Sequence, residues 1–171
     1  MIRGSWLLIG TIVCASSFFG TLWILKELEV KGGFEMAATL ENASISDNAS
    51  LETAAKAAGF EPSPNIHGVV DVLTRLSNDQ VKIKGWAADL GSDGSPIDVF
   101  GFSQGKVLFQ AQTYGERPDV IAFFKLAPDA PAMRNVIFDV TTSCHAGEKI
   151  IIAAFARSKE YGPMASSQIC P

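Results

Sequence analysis

Asp89, Asp93 and Asp98, in the stretch "DLGSDGSPID", are the residues of this 171-residue chain whose spacing comes closest to a metal chemistry. Calcium is held by alternating carboxylates and carbonyls around a sharp glycine turn. Laid on the EF-hand loop, Asp89 takes the first ligand position, Asp93 the fifth and Gly94 the turn. Gly91 then stands where a third-position ligand belongs, and Phe100 stands where a bidentate glutamate should close the shell, so the EF-hand assignment fails. Two readings remain. One is a looser cation site built from the three aspartates, which would serve a metal-dependent enzyme or enzyme subunit. The other, which is preferred, is a turn between strands, where glycine supplies positive φ and aspartate bonds its own backbone. No metal and no cofactor is expected.

Nucleophilic chemistry is harder to assemble. His67 and His145 are the two histidines, and no serine sits in a nucleophile-elbow pattern. Cys144 and His145 are neighbours in sequence, which sends their side chains apart in an extended chain, whereas a Cys–His pair needs proximity in space. No catalytic residue is assigned, and the chain is not expected to be an enzyme. Cys144 and Cys170 read either as a disulfide, which would stabilise the domain by roughly 3 kcal/mol on the chain-entropy model, or as two free buried thiols.

Binding chemistry centres on Trp86. If the alternation of Val81 and Ile83 continues, Trp86 shares a face with Lys82 and Lys84, and the three offer a platform for a sugar ring or a partner's charge. If Gly85 marks a bulge, the phase shifts and Trp86 becomes a core anchor. Arg117 and Asp119 read as a tie between a helix start and the sheet.

The elements that would hold these residues are strands. From Ile66 onward, short runs rich in Val, Ile and Phe are punctuated by Gly, Asp, Ser and Pro. The runs are residues 70–76, 81–88, "PIDVFGFS", "KVLFQAQTY", "RNVIFDVTT", "KIIIAAFAR" and a weaker "MASSQIC". "IIIAAFA" is apolar on both faces, which predicts a central strand. The expectation is an all-β domain over 66–171, an antiparallel β-sandwich of about seven strands, immunoglobulin-like in architecture. "RPDVIAFFKLAP" breaks the pattern and predicts one short helix, with Pro118 at its first position. Its Val120, Ile121, Phe123 and Phe124 are expected to plug an open end of the sandwich.

Residues 1–25 read differently. Trp6–Leu25 carries no charge, and as a helix at ~1.5 Å per residue it covers about 30 Å, one hydrocarbon thickness. A transmembrane signal-anchor is expected, in preference to a cleaved signal peptide or a lipid anchor at Cys14. Residues 26–65 carry seven acidic against three basic residues and read as a flexible acidic spacer, with a short helix near 50–58 capped at Ser50 and ended by Gly59. A net charge of −4 leaves no basic field for phosphate backbones, so nucleic acid is not a partner.

The spaced set Gly85-Trp86-Ala87 with Asp89, Val99-Phe100, Gly105, Arg117-Pro118-Asp119-Val120, Cys144 and Cys170-Pro171 resembles a small β-sandwich module. That module is associated with bacterial membrane-anchored proteins and with proteins of surface-polysaccharide metabolism. The resemblance spans about residues 67 to 171 and implies a non-catalytic extracytoplasmic domain. "IAFF" is bulkier than the alanine-rich helix expected after "RPDV". The combined expectation is a single-pass protein of the bacterial inner membrane, touching the lipid bilayer through residues 6–25. Its C-terminal domain would lie in the periplasm and bind an envelope protein or a glycan without catalysis.

Overall fold

The apolar–polar alternation after Ile66 resolves into strands that sort into two sheets. The computed structural model describes residues 38–40, 42–77, 79–164 and 168–171. The expected membrane span 6–25 lies outside the described residues, as do residues 26–37 of the expected spacer. Among the described residues no helix is long and apolar enough to cross a membrane.

In chain order the elements are helix α1 (Asn48–Ala57), β1 (Glu61–Pro62), β2 (Ile66–Arg75), β3 (Gln80–Asp89), β4 (Asp98–Ser103), β5 (Lys106–Gln112), helix α2 (Pro118–Phe123), a 3-10 turn (Pro131–Met133), β6 (Ile137–Ser143), β7 (Lys149–Phe155), β8 (Glu160–Pro163) and β9 (Gln168–Ile169). The larger sheet runs β1-β8-β7-β4-β5 with β9 added beside β7, and the smaller runs β2-β3-β6. The described pairings are antiparallel apart from β1 with β8.

Both sheets contribute to one apolar core. Val81, Ile83 and Ala87 of β3 and Phe138 of β6 meet Val99 of β4, Phe109 of β5 and Ile150, Ile152 and Ala154 of β7. Strand β7 is flanked by neighbours on both sides and is buried from Ile150 to Phe155, which is why its sequence is apolar on both faces. Strands β1 and β8 were not among the expected runs, because "EP" and "EYGP" are short and carry proline or glycine, residues that a strand pattern does not select.

Each sheet also carries a cover on its outer side. Residues 39–60 belong to the same compact unit as the strands, and their Leu40, Ile45, Leu51, Ala55 and Phe60 are buried. The Phe60 ring meets Phe155 edge-on at 5.2 Å, and Phe155 meets Phe100 of β4 at 5.5 Å. The reading of 26–65 as a solvated spacer is therefore corrected for its second half: four large apolar side chains spaced along a polar stretch find a sheet to bury against. Helix α1 forms where expected, but its cap is Asp47, whose Oδ1 accepts the Ser50 amide at 2.8 Å while the Ser50 hydroxyl accepts the Asp47 amide. Gly59 takes φ of 80° directly after the helix, the left-handed turn that glycine adopts without strain.

Helix α2 covers the smaller sheet. Val120 and Ile121 pack with Met133 and Val136 on Trp86 and Ala88. The expectation that this helix plugs an open end is corrected: it lies over the outer face of β3, and Phe123 is 75% exposed.

Candidate functional site

Strand β3 sets the position of Trp86 through its register. Its pairing with β6 runs unbroken from Gln80 opposite Ser143 to Trp86 opposite Ile137. The irregularity falls instead in β2, between Val70 and Val72. Gly85 therefore shifts no phase, and Trp86 stays on the face of Lys82 and Lys84. It is nonetheless 7% exposed, because the segment 113–136 folds over it. Phe124 meets the indole edge-on at 5.8 Å and also lies 5.1 Å from the His67 ring. The platform of Trp86, Lys82 and Lys84 is thus corrected: the indole face is covered by the cap and offers nothing to stack on, while the two lysines remain at the surface. Gly85 is required for a different reason. A Cβ there would run into the Val69 carbonyl oxygen and lie 2.7 Å from the Phe138 ring.

The uncovered half of this face holds a charge ladder. Lys82 and Lys84 converge on one Asp139 oxygen at 3.4 and 3.0 Å. Burial opposes ionisation of Asp139, but the two ammonium groups outweigh it and hold the carboxyl below its ordinary range, while Asp139 raises Lys84. Pairs as exposed as these are screened by solvent and add little to the stability of the fold. Val72 and Tyr114 stand exposed at 41% and 51%, and Tyr114 bridges to Ile137 of β6.

Arg117 fastens the cap to the sheet. Its Nη1 donates to Asp71 at 2.7 Å, and its Nη2 and Nε donate to the two Asp119 oxygens at 2.6 and 2.8 Å. Asp71 is the residue left over at the β2 irregularity, and bulges re-aim side chains in this way. The hydrogen bonds from Arg117 pull the Asp119 carboxyl down to about 2, and the two carboxylates push Arg117 up. Proximity in sequence signals the Arg117–Asp119 pair, but nothing in the sequence points to Asp71.

The three aspartates of the β3–β4 connection do not converge. Asp89, 4% exposed, accepts the Gly91 amide at 3.0 Å. Asp93 accepts both the amide and the hydroxyl of Ser95, which lower its pKa. Asp98, raised by burial, faces Gln110 at 3.4 Å. Among the described residues the grouping of metal-ligating side chains is Cys144, Glu148 and Cys170, with ligand atoms within 4.8 Å of one another.

Cys144 and Cys170 are joined as a disulfide, with Cα atoms 6.2 Å apart. The bond pins the segment of β9 to the turn that precedes β7. His145 sits beside it at the surface, its Nδ1 3.5 Å from Asp79. The same turn borders a cavity of about 450 Å³, with Phe102, Ile45 and Ile151 as apolar lining and Gln104, Glu148 and Lys149 as polar lining. Gln104, in the β4–β5 turn, donates its side-chain amide to Glu148, in the connection that carries the chain from β6 in one sheet to β7 in the other, and it holds φ of 51°, a conformation uncommon outside glycine and asparagine. Neither Gln104 nor Glu148 carries a sequence signal, because their partners lie far along the chain. Comparison with family models, curated proteins and solved structures yields no match for this chain.

Proposed function

We propose that this chain is a single-pass protein of the bacterial inner membrane that carries a non-catalytic binding module, an immunoglobulin-like antiparallel β-sandwich, on the periplasmic side. The partner is another component of the envelope, a protein or a glycan. The observation that carries the reading is the unequal covering of the smaller sheet. The cap encloses Trp86 and leaves the Lys82–Lys84–Asp139 ladder open beside Val72 and Tyr114. An exposed face of charged, aromatic and β-branched side chains suits a macromolecule better than a small substrate, because such surfaces gain affinity from area and re-paired charges. The Cys144–Cys170 bond supports an oxidising compartment.

The test uses the full-length chain in its membrane. A photo-crosslinking residue at position 84 should give a discrete adduct, and the same residue at position 106, on β5 of the other sheet, should not. Lys82→Gln with Lys84→Gln should abolish retention on the captured partner while moving the melting temperature little. Equal labelling at both positions, or retention unchanged by the double substitution, would sink the reading.

A further inference from the structure

The charges on the outer side of the smaller sheet fall into two groups of opposite sign. Lys82, Lys84 and Asp139 form the first, two ammonium groups around one carboxylate, which leaves a positive charge in excess. Arg117, Asp71 and Asp119 form the second, one guanidinium between two carboxylates, which leaves a negative charge in excess. The register sets them side by side: Asp71 precedes Val72, Val72 stands opposite Lys84, and Lys84 stands opposite Asp139. The six side chains keep between 26% and 64% of their surface exposed, so both groups are open to a partner's charges.

Exposed apolar side chains surround these groups. Val69 and Val72 of β2 and Leu76 just beyond it are exposed, as are Tyr114 at the start of the cap and Phe123 within it. The cap raises one part of the face, over Trp86 and Ala88, and leaves the lysine ladder bare. A stepped surface with apolar side chains and two charge groups of equal and opposite excess is complementary to itself. A two-fold axis lying in the plane of the face lays the cap of each copy over the bare part of the other, and each lysine pair against the other copy's carboxylates, so that one set of contacts is made twice. A purely acidic or purely basic partner would be repelled by one of the two groups. A sugar ring finds no open indole, because Trp86 lies under the cap.

We infer that the outer face of the smaller sheet is a homodimer interface, occupied by the same face of a second copy of this chain. The inference rests on the reading of that face as a binding surface and names the protein that binds it. Lys84 of each copy meets Asp119 and Asp71 of the other, and Val72 lies between the two charge contacts.

The experiment uses the full-length chain in its membrane, co-expressed in two copies with different affinity tags. A photo-crosslinking residue at position 72 should give an adduct of twice the monomer mass that carries both tags. Lys84→Glu in both copies sets like charges against each other across the interface and should cut co-isolation of the second tag by about tenfold or more. Asp119→Lys in both copies should do the same. Lys84→Glu in one copy with Asp119→Lys in the other makes both contacts attractive again and should restore co-isolation. Each variant keeps an opposite charge inside its own group, Lys82 beside Asp139 or Asp71 beside Arg117. Circular dichroism follows their folding, and the crosslink at position 72 tests the interface with all six charges in place. Co-isolation untouched by either reversal, or not restored by mixing, overturns the homodimer. An adduct with a different protein or with a glycan also overturns it but leaves the binding role proposed above standing, whereas no adduct at either position 72 or position 84 overturns both.

Discussion

Gly85 lies in a strand with no space for a side chain, between the Val69 carbonyl and the Phe138 ring. Gly85→Ala forces either the β2–β3 ladder or the core ring to move, and overpacking of this kind costs about 1–3 kcal/mol. A lowered denaturant midpoint with an unchanged slope is the expected result. Asp119 supplies a second measurement at this scale. Its pKa, lowered to about 2 from 3.8 by Arg117, means that its stabilisation is fully present above its ordinary pKa and is lost as pH falls from about 4 to about 2. Wild type should therefore melt above Asp119→Asn at neutral pH, with the gap closing through that window. A gap that persists at pH 2 would assign the effect to helix capping and not to the ion pair.

At the scale of elements, the N-terminal cover is the point where composition misleads. Residues 39–60 are polar enough on average to read as a tether, yet Leu51 is 1% exposed on a helix whose other faces are wet. Leu51→Ala should cost about 2–5 kcal/mol in thermal or denaturant unfolding, whereas a true tether would tolerate it. Protease should likewise spare Ala54–Ala58 in the native protein. The strands were legible because alternation and turn residues are local. Helix α2 was legible because Pro118 and Asp119 mark a start. The face that α2 covers was not, because Val120 and Ile121 make an apolar pair that fits a sheet face and an open end equally well.

For the whole molecule, a C-terminal phosphatase reporter that works only outside the cytoplasm should be active, and a cytoplasm-dependent reporter at the same place should be silent. The reverse outcome would remove the proposed location and the oxidising setting of Cys144 and Cys170 together. The sequence by itself determined the β-rich character of 66–171, the central place of "IIIAAF", the turn chemistry of the aspartates, the Arg117–Asp119 pair and the two cysteines eligible to join. These depend on periodicity and on contacts among near neighbours. The tertiary structure alone decided that Trp86 keeps the lysines' face and is buried there all the same, that Asp71 completes the Arg117 bridge and that Glu148 stands beside the disulfide. Each of these depends on a segment returning from far along the chain to cover or meet a residue, and a strand's own alternation carries no record of what will fold over it.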